Sequence, residues 1–117
     1  MLACCEQRLQ DLPPIRWKSG YAACVVMAAE GYPGKYPKGM VLKGIDAAVE
    51  TEAMVFHAGT LLEKDVLKSN GGRILGVTAL GEEFERAIAN AYVAVESIQF
   101  DNAYYRRDIG HRVRDQF

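Results

Sequence analysis

At 117 residues the chain has the length of one domain, long enough for a modest hydrophobic core and too short for two independent ones. Its 14 basic and 15 acidic residues leave a formal charge of −1, which excludes a global field for nucleic acid or an anionic membrane and makes any anion site a local one. Cys4, Cys5 and Cys24 form neither an even disulfide set nor a metal-spaced pair, and His57 and His111 stand apart, so a reducing cytoplasm fits and no metal is expected.

The first residues, Met1 to Glu6, lack the basic leader of a signal peptide, and the apolar stretch Ala22 to Ala29 is too short to cross a bilayer, so a soluble protein is expected. Leu2, Cys5, Leu9 and Leu12 recur at helical spacing until Pro13-Pro14 stops them. That helix opens without a capping residue, which predicts the tail of something longer, with residues 1–14 set apart from a domain over 15–117. Tyr21 to Ala29 is a near-continuous apolar run and reads as a strand covered on both faces. Gly31 to Gly39 packs three glycines and two prolines into a loop.

Met40 to Ile45 reads as a strand, Asp46 to Glu50 as a short turn or helix, and Met54 to His57 as a strand ended by Ala58-Gly59. Leu61 to Lys68 suggests a hairpin with Glu63-Lys64-Asp65 at its tip, and Arg73 to Leu80 a strand that closes the sheet. From Glu82 to about Gln99 the residues Phe84, Ile88, Ala91, Tyr92, Val95 and Ile98 form one helical stripe. Gly81 can cap it, and Glu82, Glu83 and Glu85 suit its first turn, where unsatisfied N–H groups favour carboxylates. The fold class expected is α+β, a small antiparallel sheet or partly open barrel packed by one long helix.

The stretch Asn70-Gly71-Gly72-Arg73 sets two glycines and an arginine before the apolar run that begins at Ile74. Glycines let backbone N–H groups converge, and an arginine at a strand start can fork onto phosphate or carboxylate oxygens. The same dipeptides are also ordinary hairpin turns. A second loop, Gly31-Tyr32-Pro33-Gly34, leaves a strand just as the first enters one, which allows both to meet at one sheet end, with Lys38 as an added cation or a solvated one. His57 is either a packed, hydrogen-bonded residue or a catalyst without an evident acid partner. The segment Tyr104 to Arg112 carries three arginines and a histidine against one acid, and either binds an anion, docks on a partner or pairs with surface acids. No Gly-x-x-x-x-Gly-Lys-Ser/Thr, Gly-x-Ser-x-Gly or His-Glu-x-x-His occurs, so the chain alone is not expected to catalyse a reaction.

Four motifs in order carry a family resemblance: Gly31-Tyr32-Pro33-Gly34 with Lys38-Gly39; Val55-Phe56-His57-Ala58-Gly59-Thr60; Asn70-Gly71-Gly72-Arg73-Ile74-Leu75-Gly76-Val77-Thr78; and Tyr105-Arg106-Arg107-Asp108-Ile109-Gly110. Together they resemble the carboxy-terminal domain of the glycinamide ribonucleotide synthetases, from about Leu2 to Arg112. The resemblance implies a carboxy-terminal domain of rudimentary hybrid-motif type, belonging to an ATP-grasp ligase of purine biosynthesis. In such a ligase ATP activates the glycine carboxylate as an acyl phosphate, and the amine of phosphoribosylamine displaces the phosphate.

ATP and magnesium, and the residues that hold them, belong by this resemblance to the preceding ATP-grasp region. The chain itself is then expected to hold no cofactor, and its partners are phosphoribosylamine or glycinamide ribonucleotide and the ATP-grasp domains. The resemblance further implies that Arg73, with Gly72, Gly71 and Asn70, holds the ribose phosphate, and that Gly31, Tyr32, Pro33, Gly34 and Lys38 line the cleft. Ala29-Glu30 stands where many members have Ser-Gly, which argues against direct binding there. The alternative is a stand-alone small anion-binding or protein-interaction module without catalysis.

Overall fold

The computed structural model describes residues 1–116. Its frame is a three-stranded antiparallel sheet of β1 (Tyr21–Ala28), β5 (Arg73–Gly81) and β2 (Met54–His57), in the order β1-β5-β2. A separate hairpin of β3 (Thr60–Glu63) and β4 (Val66–Ser69) stands beside it. The fold is α+β as expected, but both sheets are open and neither closes into a barrel. The strand expected to close the sheet, Arg73–Gly81, is its central strand, because β1 and β2 pair with its two edges.

Helix α3 (Phe84–Ser97) lies across one face of this sheet. It packs closely because its buried side is mostly small, with Ala87, Ala91 and Ala94 beside Ile88 and Val95. Gly81 makes the approach possible, since a Cβ there would lie 2.3 Å from the Ala87 nitrogen. Glu83, rather than Gly81, is the capping residue: its carbonyl accepts the first helical bond from the Ala87 N–H at 3.1 Å. Under α3 the side chains of Val25, Met27, Leu75, Val77 and Val95 are fully buried. Full burial of such a side chain contributes about 1.5–3 kcal/mol, so this layer supplies most of the domain's cohesion.

The apolar run of β1 is covered on one face only. Ala23, Val25 and Met27 point into the core, while Ala22, Cys24 and Val26 are exposed. Two further expectations fail for backbone reasons. The strand expected over Met40 to Ile45 is reduced to isolated bridges, Val41 to Lys68 and Lys43 to Gln99, between Gly39 and Gly44, which both hold positive φ. The helix expected over Leu2 to Leu12 splits into α1 (Leu2–Cys5) and a 3-10 turn at Leu9–Asp11, because Gln7 sits at φ 55.

The short helix expected at Asp46 to Glu50 is α2 (Ile45–Glu50), packed against α3. The hairpin tip is as read from sequence: Lys64 and Asp65 both adopt positive φ, the backbone of a two-residue turn that matches strand twist. Across it Lys68 donates to Glu63 at 2.9 Å and holds that carboxyl below its ordinary pKa. The hairpin is tied to the body through Ser69, which is buried: its N–H donates to the Met40 carbonyl at 2.7 Å and its hydroxyl accepts from the Met40 N–H at 3.0 Å.

Candidate functional site

The site begins with a fault in the sheet. From Tyr21–Gly81 to Met27–Leu75 the β1–β5 register is regular, and at the next step Ala28 faces Arg73, leaving Ile74 as an extra residue. On the other side the Ile74 carbonyl accepts from both the Ala58 N–H at 3.0 Å and the Gly59 N–H at 3.2 Å. Such a bulge re-aims the side chains beyond it. Regular alternation would set Arg73 on the α3 face with Leu75 and Val77. The slip turns it instead to the open face, where it lines a groove with Tyr32, Val26, Phe56, Gly59 and Gly76.

Three turns meet at this sheet end, and glycine makes each approach possible. The Ala29 N–H donates to the Gly72 carbonyl at 2.8 Å, which joins the loop after β1 to the turn before β5. The Tyr32 ring then lies directly over Gly72, where a Cβ would be 2.0 Å from the ring. Gly59 and Gly71 meet back to back, a Cβ on Gly59 falling 2.8 Å from the Gly71 Cα, while the Asn70 N–H donates to the Gly59 carbonyl at 2.7 Å. The two loops expected to meet at one sheet end do meet. Lys38 lies elsewhere, in a separate hollow with Lys43, Gln99 and Asp101.

The groove has a volume of about 520 Å³ and combines one cation with an apolar wall. Arg73 is exposed, and among the described residues no side chain pairs with its guanidinium. No backbone carbonyl among the described residues takes the N–H groups of Gly71 or Gly72. Of Asn70, Gly71 and Gly72 only Gly72 lines the groove, and it is buried beneath the Tyr32 ring. An unpaired planar fork on an apolar wall suits a phosphate or carboxylate. Gly31 and Gly34 shape the loop rather than line the groove: Gly31 holds φ 93, and a Cβ on it would fall 2.2 Å from the Lys35 carbonyl oxygen. Pro33 follows Tyr32 through a cis peptide bond.

Val26, Phe56, Gly59 and Gly76 are groove residues that the sequence reading did not assign. Alternation was the available signal, because in Met54-Val55-Phe56-His57 the half-buried Val55 faces inward and exposed Phe56 outward. His57 lies outside the groove, with Nδ1 3.0 Å from the Thr60 hydroxyl oxygen.

The basic segment near the carboxy terminus pairs largely within itself and with α3. Arg106 forks onto Asp108 at 2.8 and 2.9 Å, and Arg114 reaches Glu85 at 2.7 Å. The Arg106 hydrogen bonds hold the Asp108 carboxyl below its ordinary pKa, and Asp108 in turn raises that of Arg106. The Tyr92 hydroxyl donates to the Arg106 carbonyl at 2.7 Å and accepts from the Ile109 N–H at 3.2 Å, clasping the segment to the helix.

Known proteins share both the fold and the sequence. Over 76% of this chain and 22% of its counterpart, the structure is similar to the phosphoribosylamine–glycine ligase of Thermotoga maritima, with a TM-score of 0.69 and 37% identity. The phosphoribosylamine–glycine ligase of Synechocystis is 54% identical over 112 residues, which are 96% of this chain and 27% of that protein. The trifunctional purine biosynthetic protein adenosine-3 of Gallus gallus is 44% identical over 112 residues, 96% of this chain and 11% of that protein. The chain spans about a quarter of the length of the bacterial ligases it matches.

The particular family follows from the sequence itself. Residues 22–112 match the family described as phosphoribosylglycinamide synthetase, C domain, and the chain belongs to it. The reading as a stand-alone module is not favoured.

Proposed function

We propose that the chain supplies one wall of the phosphoribosylamine cleft in a cytoplasmic ligase that joins glycine to that amine during purine biosynthesis, with Arg73 holding the ribose phosphate. The observation that carries this reading is the register slip at Ile74, which delivers an unpaired guanidinium onto the open sheet face, into a groove with an apolar wall. The Arg73 fork donates to two phosphate oxygens, and the turn Asn70-Gly71-Gly72 that precedes it is assigned to the same phosphate as a supporting contact. Tyr32 covers Gly72 and Phe56 forms the facing wall, so the ribose lies over apolar surface. Lys38, outside the groove, contributes at most to the surrounding field.

Residues 15–117 act in this reading as the carboxy-terminal domain and residues 1–14 as the end of the preceding region. ATP and magnesium belong to that preceding region. Among the described residues no group of three or more His, Cys, Asp or Glu side chains is arranged to hold a metal ion. What this chain does is bind and orient: it fixes the phosphate so that the amine of the sugar faces the acyl phosphate formed elsewhere. Among the described residues no helix is long and apolar enough to cross a membrane.

Two measurements test the reading. Titration of the chain with ribose 5-phosphate is expected to move the amide resonances of Gly71, Gly72 and Arg73, and shifts confined to Arg106 through Arg112 would move the site to that segment. In a Synechocystis ligase carrying this chain in place of its own matching portion, Arg73→Ala is expected to lower kcat/KM roughly 30-fold, about 2 kcal/mol of lost charge-assisted binding. Arg73→Lys keeps the charge without the fork and is expected to fall between the two. Unchanged kcat/KM in Arg73→Ala overturns the assignment.

A further inference from the structure

The turn between β4, which ends at Ser69, and β5, which begins at Arg73, opens on the bond Asn70-Gly71. An asparagine side chain is an electrophile for the backbone nitrogen of the next residue, with which it closes a five-membered imide. Two things hinder closure: a side chain on the following residue, and hydrogen bonds that fix the backbone N–H or the asparagine amide. Neither operates at Asn70. Gly71 has no side chain, and its N–H donates to no carbonyl among the described residues. Asn70 is exposed, and its side-chain amide has no hydrogen-bond partner among the described residues.

The chain's other asparagines, Asn90 and Asn102, are held on both counts. Asn90 lies within α3, its amide donates to the Leu80 carbonyl at 2.9 Å, and the next residue is the fully buried Ala91. Asn102 precedes Ala103, whose N–H donates to the Phe100 carbonyl at 3.2 Å.

We propose that Asn70-Gly71 is a site of spontaneous deamidation whose isoaspartate product re-sets the turn that carries Arg73. In the first step the Gly71 nitrogen gives its proton to hydroxide and bonds to Asn70 Cγ; the Cγ–Nδ2 bond then breaks, and ammonia leaves with a proton from water. Water next adds to the imide. Cleavage of the new Cγ–N bond leaves an aspartate. Cleavage at the former main-chain carbonyl leaves an isoaspartate, whose backbone runs through Cβ and is longer by one atom.

The turn has no slack for that atom. The Asn70 N–H donates to the Gly59 carbonyl at 2.7 Å, Gly59 and Gly71 touch back to back, and Gly72 lies beneath the Tyr32 ring. Ser69, on the other side, is fixed by its bonds to Met40. A longer backbone between Ser69 and Gly71 therefore breaks one of the glycine contacts, and it adds a carboxylate to the turn that leads into an unpaired guanidinium. Both changes act against an anion at Arg73. That consequence rests on the phosphate reading above; the modification does not.

The test incubates the 117-residue chain in mildly alkaline buffer, folded or unfolded in guanidinium chloride, and follows each asparagine peptide by mass spectrometry that separates aspartate from isoaspartate. The ratio of unfolded to folded rates cancels the intrinsic reactivity of each sequence. It is expected to be at most about threefold at Asn70 and at least about tenfold at Asn90 and Asn102, where the fold must open first. A ratio at Asn70 as large as that at Asn90 overturns the proposal. Asn70→Gln, which could close only a slower six-membered ring, is expected to remove the new acidic species, and its persistence would overturn the assignment to Asn70.

The isoaspartate form, separated by ion exchange, is expected to show displaced Gly59 and Gly72 amide resonances, while Asn70→Asp, with a backbone of ordinary length, keeps them near the parent positions. Parent-like resonances in the isoaspartate form overturn the re-setting of the turn. That form is also expected to bind ribose 5-phosphate roughly tenfold more weakly than the fresh chain, since a displaced fork forfeits charge-assisted bonds. Equal affinity overturns the link to Arg73. A fresh chain that does not respond to ribose 5-phosphate, yet converts at Asn70 with those displacements, supports the proposal and overturns the phosphate site.

Discussion

The two faces of the three-stranded sheet are built from similar apolar side chains, yet one is sealed under α3 and the other is bare. On the sealed face Val25, Met27, Leu75 and Val77 are at most 1% exposed, while Val26, Met54, Phe56 and Leu80 on the bare face are each about half exposed. Alternation along a strand sends neighbours to opposite faces, so a run such as Ala23-Cys24-Val25-Val26-Met27 serves both at once. The difference separates two tasks. Stability resides under the helix, where side chains interlock, and the open face, where the register slip at Ile74 adds a charge to an apolar wall, is the one proposed for recognition.

The largest effect that separates the faces comes from truncation. Leu75→Ala is expected to destabilise the domain by about 3 kcal/mol, because it removes buried contacts and leaves a cavity that α3 cannot fill. Leu80→Ala, five residues along the same strand, is expected to stay within about 0.5 kcal/mol. Urea unfolding of the two variants beside the parent chain checks this. A large loss for Leu80→Ala would show that the outer face contributes to folding of the isolated domain and would break the contrast.

Addition of a methyl group sharpens it from the other direction. A Cβ on Gly81 would meet the α3 backbone 2.3 Å away, so Gly81→Ala forces helix and strand apart, at a cost of roughly 1–3 kcal/mol. A Cβ on Gly76, on the open face, would lie 3.5 Å from the Cys24 sulfur, an ordinary contact. Gly76→Ala is therefore expected to be neutral or to stabilise by up to about 1 kcal/mol, by restricting the unfolded chain. Thermal unfolding orders the two, and the reverse order would place the close packing on the wrong face.

This division also explains what the sequence reveals. The helix stripe from Phe84 to Ile98, the short strand Met54 to His57 and the Lys64-Asp65 tip are legible because each depends on local periodicity or local turn chemistry. The run from Tyr21 to Ala29 reads as doubly covered because both of its faces are apolar, and periodicity does not distinguish a face covered by this chain from one left bare. The central place of Arg73–Gly81 depends on long-range pairing with two strands that flank it in space and precede it in sequence. At the site, Arg73 and the Gly71-Gly72 turn stand out by composition. The slip that aims Arg73 outward is set by the pairing of Ala28 and by Ile74 facing two amides, and neither leaves a local mark.

The smallest expected effect concerns the segment that follows Tyr104, which bridges to Ala28 at the edge of β1 and is clasped to α3 through Tyr92. Arg106 hydrogen-bonds Asp108 and holds that carboxyl below its ordinary value, so the folded pKa is lower than the unfolded one, about 3.9 for a free aspartate. For a carboxylate shifted in this direction, the stabilising contribution is complete above the unfolded value and is lost as pH falls through the lower folded value. Both partners are exposed, so the change in global stability is small. The local readout is clearer, because the Ile109 N–H and the Arg106 carbonyl both meet the Tyr92 hydroxyl beside the ion pair. The Ile109 amide is expected to titrate with an inflection below the ordinary aspartate range, which Asp108→Asn removes, while the Gly72 amide on the open face shows no inflection that depends on Asp108. An Ile109 inflection at or above the ordinary value would mean that Arg106 is not paired in solution, and the clasp would then rest on Tyr92 and on the packing of Gly110 against Ile88 and Phe84.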